Sequence, residues 1–234
     1  MKSINKKAMK TIFLDTVPVL TGYLFLGAGF GILLAEKTGH GILWAMSMGL
    51  FMFAGSGQYL AVSMLAEHAP VISAAIATFL VNARHIFYGI SLLDTYTGSD
   101  WKRPYMIFAL TDETYSLVTQ NQPPENVSRR QYCFLVSLLN HIYWIAGCGL
   151  GSLLRNTLPI SFEGVEFVLT ALFVTLFVEQ WLSHKRHLPA IIGVGATVLC
   201  LLIFSKEIFL IPSMVLIALL LTVTQKTGRR ANDV

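Results

Sequence analysis

Long apolar stretches, each about the length of a membrane-spanning helix, run through almost the whole chain and are separated only by short polar segments. Crossing a hydrocarbon core of ~30 Å takes about 20 mostly apolar residues in a helix. Charged residues make up only 13% of the 234, whereas a soluble domain carries about 25%. A chain so poor in charge cannot cover a globule with polar surface. The sequence therefore predicts an all-α, polytopic transmembrane helical bundle embedded in a lipid bilayer.

Eight segments are candidate spans. They cover roughly residues 17–35, 42–65, 70–92, 104–120, 131–154, 165–183, 189–204 and 208–225. The fourth contains two adjacent acids and the last two are short, so seven spans are the alternative to eight. These spans leave no room for a separate soluble domain, and we expect a single integral membrane domain over residues 1–234.

Basic residues predict the orientation, because cytoplasmic loops carry an excess of Lys and Arg. With eight spans and the N terminus inside, the cytoplasmic set is Lys2, Lys6, Lys7, Lys10, Arg129, Arg130, Lys185, Arg186, Lys226, Arg229 and Arg230. The smaller outer set is Lys37, Lys102, Arg103, Arg155 and Lys206. Both termini are therefore predicted to be cytoplasmic. The basic residues lie in short clusters between apolar runs, which argues against a nucleic-acid partner.

An internal repeat with an offset of roughly 120 residues relates a first half, about 17–120, to a second half, about 135–225. Three matches follow in the same order: Gly27–Leu34 with Gly147–Leu154, Gln58-Tyr59 with Gln180-Trp181, and Pro70 with Pro189. Internal repeats are the usual plan of secondary transporters, whose substrate site lies near the midplane between the repeats. The spacing favours parallel halves over inverted ones.

Each glycine run of the repeat contains two glycines four residues apart, Gly27 with Gly31 and Gly147 with Gly151. In lipid, small residues at this spacing let helix backbones approach closely. Both runs predict tight helix packing.

The run Ala54-Gly55-Ser56-Gly57-Gln58 interrupts the second span with two glycines, a serine and an amide. A helix break at membrane depth is tolerated only beside a cavity or within protein. The run is either a discontinuous helix that lines a substrate site, with Gln58 supplying hydrogen bonds, or a tight helix crossing.

The third span contains Asn82, Arg84 and His85 between apolar residues. A charge at the bilayer centre costs at least ~2.5–3.5 kcal/mol and usually faces a cavity or a partner. Arg84 is suited to binding a substrate carboxylate with its planar fork, and Asn82 and His85 cluster with it. The alternatives are structural pairing with an internal acid and snorkelling to an interface.

Asp112 and Glu113 lie in the middle of the fourth span. Two ionised carboxylates side by side in a membrane are costly, so one acid is a candidate proton carrier. The other possible roles are to bind a substrate amine or to pair with Arg84. The alternative without a functional role is an interfacial helix in which both acids are solvated.

The remaining polar residues predict neither a cofactor nor a metal. Cys133, Cys148 and Cys200 lie in apolar stretches without metal-like spacing, and no phosphate-cradling loop is present. Ser56 between two glycines, with His85 or His141 on another span, is the nearest approach to an intramembrane hydrolase. An enzyme of this kind, or a non-transporting sensor or assembly subunit, is the alternative to a transporter.

Taken in order, Ala54-Gly55-x-x-Gln58, Asn82-x-Arg84-His85 and Thr111-Asp112-Glu113 after a Gly-rich first helix resemble the AzlC family. This family comprises the large subunits of bacterial branched-chain amino acid exporters. The resemblance is strongest over roughly 18–120. It implies a bacterial inner-membrane permease without enzymatic activity, paired with a small hydrophobic AzlD-type subunit.

The resemblance also implies efflux of leucine, isoleucine and valine, possibly methionine, driven by the proton gradient. In that scheme Arg84 takes the substrate carboxylate, and Asp112 or Glu113 takes the amine or the coupled proton. The broken helix from Gly55 to Gln58 supplies backbone contacts.

Overall fold

The computed structural model describes residues 5–157, 164, 167–183, 187–204, 209, 212–213, 215–217 and 219–224. Every regular element in these ranges is a helix, as the sequence predicts. The helices are α1 Lys6–Thr38, α2 Ile42–Phe51, α3 Gly55–Ala66, α4 Val71–Asn82, α5 Arg84–Ser91, α6 Lys102–Phe108, α7 Asp112–Gln120, α8 Arg129–Thr157, α9 Phe167–Ser183 and α10 Leu188–Ile203.

Some predicted features fall outside the described residues. They are part of the eighth span, the side chain of Gln180 and the cations Lys2, Lys185, Arg186, Lys206, Lys226, Arg229 and Arg230. The chain forms two compact units, Met1–Thr170 and Ala171–Val234. The second contains most of α9 and all of α10. There the Trp181 ring stacks on His187, with ring centroids 4.2 Å apart.

Two helices in the described part, α1 and α8, are long and apolar enough to cross a membrane. A third candidate is the pair α4–α5, which bends by 43° at its break. The prediction of seven or eight spans is therefore not confirmed, and neither is the repeat.

Helices α1 and α8 pack closely through their glycines, as the spacing of the two glycine runs predicts. A methyl group on Gly147 would lie 2.5 Å from the Tyr23 carbonyl oxygen, and one on Gly27 would lie 3.0 Å from the Gly147 Cα. The helices run in the same direction. Near their starts the Tyr132 hydroxyl donates to Asp15 (3.1 Å), and near their ends Arg155 lies 3.9 Å from Glu36.

The predicted second span is instead a helical hairpin, α2–α3. Helix α2 starts beside Gly149 and runs back along α8 to Gly49, whose carbonyl accepts a hydrogen bond from His141 (3.2 Å). Phe53 reverses the chain with a left-handed φ of 41°. Helix α3 then follows α1 outward, with the Tyr59 hydroxyl donating to the Leu26 carbonyl (2.7 Å). At 1.5 Å per residue the two helices are only about 15 and 18 Å long, so the segment returns to the end where it entered.

Helices α4 and α5 together connect the two ends of this unit. Helix α4 starts at the end where α3 finishes, and α5 continues past the break at Ala83. Beyond α5, Leu92 and Tyr96 pack in one cluster with Ala8 and Ile12 of the first turns of α1. The pair therefore crosses the unit as a bent helix.

The predicted fourth span is also a helical hairpin, α6–α7, which enters from the opposite end to α2–α3. Trp101 packs on Phe134, and Phe108 lies farther along α8 against His141 (ring centroids 5.7 Å apart). Helix α7 returns along α8, and beyond it the Asn121 carbonyl accepts a hydrogen bond from Arg129. Seven and nine residues give helices of only about 10 and 13 Å. Both ends of the pair lie where α8 begins.

We call the end at which α1 and α8 begin the basic end. Its cations are Lys6, Lys7, Lys10, Lys102, Arg103, Arg129 and Arg130. At the opposite end the described cations of this unit are Lys37 and Arg155. Lys102 and Arg103, predicted on the outer side, are thus at the same end as Arg130, which forms an ion pair with Asp100.

Candidate functional site at the starts of three half-helices

Helices α3, α5 and α7 each form the second half of a broken pair, and all three begin at one polar cluster. The cluster comprises Ser56, Gln58, Asn82, Arg84 and Asp112. It is level with Trp144, which lies near the middle of α8 and packs edge-on against Tyr23 near the middle of α1. The polar residues of three breaks therefore meet about halfway between the two ends of the unit.

Arg84 connects the three half-helices. Its Nη2 lies 2.8 Å from Asp112 Oδ2 at the start of α7 and donates to Ser56 Oγ at the start of α3 (3.2 Å). The side chains of Arg84 and Asp112 keep 31% and 20% of their surface exposed. The pair is thus a half-buried salt bridge.

Gln58 is fully buried in the first turn of α3. Its Oε1 accepts hydrogen bonds from Trp144 Nε1 (2.8 Å) and from the Ala54 amide (3.3 Å). Because an indole N–H only donates, this contact fixes which end of the amide faces Trp144. The Gln58 NH₂ group therefore points away from Trp144.

Gly57 lets the end of α4 approach the start of α3. A methyl group on Gly57 would lie 2.8 Å from Asn82 Nδ2. Asn82 Nδ2 donates to the Thr78 carbonyl (2.9 Å), which only accepts, so the amide oxygen points elsewhere. Next to Gly57, Gly55 packs against the Trp144 ring, which a methyl group would approach to 3.2 Å.

Four buried polar atoms of the cluster have no hydrogen-bond partner among the described residues. They are Gln58 Nε2, Arg84 Nε, Asn82 Oδ1 and Asp112 Oδ1. Leaving such a group unsatisfied costs about 1–3 kcal/mol, and an unpaired group in a native structure calls for an explanation. The set consists of two donors and two acceptors.

The first turns of α3 and α5 carry no side-chain cap. The first N–H groups of a helix have no partner within the helix, and together with the helix dipole they favour an anion. In α3 these groups belong to Gly55, Ser56 and Gly57, of which Ser56 and Gly57 are buried. In α7, by contrast, Thr111 caps the helix by accepting from the Thr114 amide (3.2 Å).

Glu113 faces away from the Arg84 salt bridge, toward α1. Its Oε2 accepts a hydrogen bond from the Tyr23 hydroxyl (2.7 Å), which is also 2.7 Å from Thr111 Oγ1. Thr111 bonds to Thr114 (3.0 Å), and Thr114 accepts from Asn140 Nδ2 of α8 (3.0 Å). The two adjacent acids thus occupy different environments: Asp112 pairs with a cation, whereas Glu113 ends a row of neutral polar groups.

The histidines are not bonded to Ser56. His85 Nδ1 bonds to the Asn82 carbonyl (3.0 Å), and His141 bonds to Tyr105 and to the Gly49 carbonyl. Within the described residues, Ser56 therefore lacks the base that a nucleophilic serine requires. No group of three or more His, Cys, Asp or Glu there is suited to a metal.

The structure brings most of the predicted site residues into one cluster. Ser56, Gly57, Asn82, Arg84 and Asp112 touch one another directly or through one neighbour. The sequence predicts that Gly55–Gln58 interrupt the second span. In the structure the break precedes Gly55, and Gly55–Gln58 form the first turn of α3.

The sequence reasoning also missed Tyr23, Trp144 and Thr114 as neighbours of the site. Asn140 and His141 of α8 both make polar contacts with other helices. Tyr23 and Trp144 lie in otherwise apolar helices, where an aromatic residue with one polar atom looks like ordinary core.

Comparison with known proteins gives a consistent result. Residues 18–158 match the model of a family described as AzlC protein. A Bacillus subtilis protein named branched-chain amino acid transport protein AzlC is 38% identical over 96% of this chain and 88% of its own length. An uncharacterized membrane protein of Helicobacter pylori is 40% identical over 94% of this chain and 96% of its own length. The inner membrane protein YgaZ of Escherichia coli is 25% identical over 79% and 78%. No solved structure matches the chain.

Proposed function

The chain belongs to the AzlC family, and we propose that it transports a small zwitterionic amino acid with an apolar side chain across a membrane. The observation that carries this proposal is the set of unpartnered polar atoms in the cluster. Two donors, Gln58 Nε2 and Arg84 Nε, match a carboxylate, and two acceptors, Asn82 Oδ1 and Asp112 Oδ1, match an ammonium group. An α-amino acid carries both groups on neighbouring atoms.

The substrate carboxylate binds at the start of α3. There the uncapped N–H groups of Gly55, Ser56 and Gly57 add to Arg84 and Gln58. Discontinuous helices whose N-terminal ends point at an anionic substrate group are a recurring device in secondary transporters. Arg84 reaches the same region already, since it donates to Ser56.

The substrate ammonium binds between Asp112 and Asn82. In the structure the Arg84–Asp112 salt bridge balances both charges. When a zwitterion separates the two side chains, its carboxylate pairs with Arg84 and its ammonium group pairs with Asp112. Binding therefore leaves no unpaired charge in a medium of low dielectric constant. A solute with only one of the two groups would leave either Arg84 or Asp112 uncompensated.

The apolar side chain of the substrate packs against the aromatic residues beside the cluster. The Tyr23 ring contacts Trp144 and Phe53 edge-on, with ring centroids 5.2 Å and 6.3 Å away. A wall of this kind suits leucine, isoleucine, valine and methionine better than a polar amino acid. The name of the Bacillus subtilis relative points to the same substrate class.

We place the basic end in the cytoplasm of a bacterium, by the positive-inside rule. With this orientation α2–α3 enters from the outside and α6–α7 from the inside, and the cluster lies where the two hairpins meet. Movement of either hairpin then opens the site to one side. We propose the bacterial inner membrane as the location, both termini in the cytoplasm, and a small AzlD-type subunit as the partner.

Export driven by the proton gradient follows if a proton and the substrate are exchanged across the membrane. Asp112 and Glu113 are the carboxylates of the site that can hold that proton. No part of this scheme uses a metal or cofactor.

The test is efflux of labelled leucine from preloaded cells that express the chain together with a candidate small partner. We expect partner-dependent efflux, lost in Arg84→Ala and in Asp112→Asn at unchanged protein level. Arg155→Ala is the matched control, because the Arg155 side chain is 40% exposed at one end of α8 and lies 3.9 Å from Glu36. Full efflux by Arg84→Ala would refute the carboxylate site. A wild type without efflux of any branched-chain amino acid would refute the function.

A further inference from the structure

A row of hydroxyl groups connects Glu113 to an asparagine in the interface of α1, α7 and α8. From Glu113 it runs through Tyr23, Thr111 and Thr114 to Asn140, with steps of 2.7, 2.7, 3.0 and 3.0 Å. Tyr23, Thr111, Thr114 and Asn140 are buried, Thr114 and Asn140 completely. Only the ring of Tyr23 belongs to the substrate contacts proposed above; the Tyr23 hydroxyl and the other members of the row do not.

Each hydroxyl in the row has one hydrogen, so it donates to one neighbour at a time. When Glu113 is a carboxylate, it only accepts, and Tyr23 donates to it while accepting from Thr111. When Glu113 is protonated, it donates to Tyr23, Tyr23 donates to Thr111, and Thr111 donates to Thr114, which is the direction that the structure has for the two threonines. No covalent bond within the row breaks in this change.

Asn140 can close the row in either direction. In the first direction its NH₂ group donates to Thr114, which is the contact observed. In the second direction Thr114 needs an acceptor. The buried Oδ1 of Asn140 has no partner within the described residues, and rotation of the amide would present it to Thr114. A serine or a leucine at this position would not offer both a strong donor and a carbonyl acceptor.

The charged and titratable groups around Glu113 distinguish it from its neighbour. On its own helix Asp112 is adjacent, and Asp112 is paired with Arg84 of α5. Tyr23 faces Glu113 from α1, and α8 contributes the neutral Asn140. Arg84, the cation of the site, therefore pairs with Asp112 and not with Glu113. A proton is the simplest group that neutralises Glu113 in this surrounding.

We infer that Glu113 binds the coupled proton, separately from the amino acid at Asp112, and that Tyr23, Thr111, Thr114 and Asn140 position it for both protonation states. The proton comes from water on one side of the membrane and converts the carboxylate into a neutral acid. This inference rests on the proposed function, since it concerns coupling at the same site. It divides the two acids between two tasks.

The test uses the chain with its small partner, purified and reconstituted into liposomes. One assay measures exchange of labelled for unlabelled leucine without a pH gradient. A second measures leucine movement driven by an imposed pH gradient. We expect Glu113→Gln to retain exchange within about threefold of wild type and to lose gradient-driven movement, whereas Asp112→Asn loses both.

Asn140→Leu provides a second variant that keeps Glu113 itself. It removes both ends of the amide, so we expect exchange to persist and the pH dependence of gradient-driven movement to shift by about one unit or more. Asn140→Gln, which retains an amide, should restore part of the wild-type profile. A shift of this kind separates positioning from a loss of folding, which would reduce both assays.

Three results would overturn the inference while leaving leucine transport intact. The first is gradient-driven leucine movement that persists in Glu113→Gln. The second is loss of both exchange and gradient-driven movement in that variant at normal protein level. The third is loss of gradient-driven movement in the wild type when choline replaces Na⁺. Absence of exchange in the wild type would instead count against the proposed function.

Discussion

At the scale of single residues, the proposed site depends on two amides, and neighbours outside the polar runs fix the orientation of each. Trp144 holds the Gln58 carbonyl, and the Thr78 carbonyl holds the Asn82 NH₂ group. Each contact leaves the other end of the amide without a partner. A hydrogen bond contributes about 0.5–1.5 kcal/mol net, so two or three such atoms suffice to select a zwitterion from apolar solutes.

Gly57→Ala tests how tightly the start of α3 must pack on Asn82. The new methyl group would lie 2.8 Å from Asn82 Nδ2, so Asn82 has to move away from the ammonium position. We expect the leucine concentration for half-maximal efflux to rise about tenfold, since 1.4 kcal/mol corresponds to a factor of ten. Gly22→Ala is the control, because nothing lies within 4 Å of a methyl group there. Equal efflux kinetics in the two variants would contradict the proposed contact.

At the scale of helices, the tight crossing of α1 and α8 was predictable from sequence and the hairpins were not. The four-residue spacing of Gly27 and Gly31, and of Gly147 and Gly151, predicts that the two helix backbones approach closely, because small residues permit it. The segments 42–65 and 104–120 have the hydropathy of spans, and composition does not reveal a reversal of direction at Phe53 or at 109–111. The polar runs marked the breaks, but the direction of the chain beyond each break depends on contacts with α1 and α8.

Gly147→Ala tests the crossing of α1 and α8. Its methyl group would lie 2.5 Å from the Tyr23 carbonyl oxygen, and relieving such an overlap costs about 1–3 kcal/mol. We expect the melting temperature of the detergent-purified protein to fall by about 2–4 °C for each kcal/mol. Gly22→Ala again serves as control, and an unchanged melting temperature for Gly147→Ala would show that the backbones are farther apart.

At the scale of the whole molecule, the hairpins change which loops share a side of the membrane. Eight simple spans would put the loop at 66–70 inside and the loop at 93–101 outside. The two hairpins reverse both assignments. They also bring Lys102 and Arg103 to the basic end, which strengthens the excess of cations on one side. Of the five charges that the charge rule counted as outer, Lys102 and Arg103 lie at the same end as Arg130.

Cysteine labelling in intact cells separates the two arrangements. With the native cysteines replaced, we expect His68→Cys to react with a membrane-impermeant maleimide added outside, and Ser99→Cys to react only after the cells are opened. His68 and Ser99 are both exposed in the structure. The opposite pattern would support eight simple spans and rule out the hairpins.

We propose that one site binds both charges of an amino acid by replacing the Arg84–Asp112 salt bridge. The most direct test measures displacement of labelled leucine from the purified chain and its partner by three analogues. These are valine, 4-methylpentanoate, which lacks the amine, and leucinamide, which lacks the carboxylate. We expect valine to displace leucine at a similar concentration, and the two singly charged analogues to need at least about 30-fold higher concentrations, roughly 2 kcal/mol. Displacement by either analogue as readily as by valine would contradict this proposal.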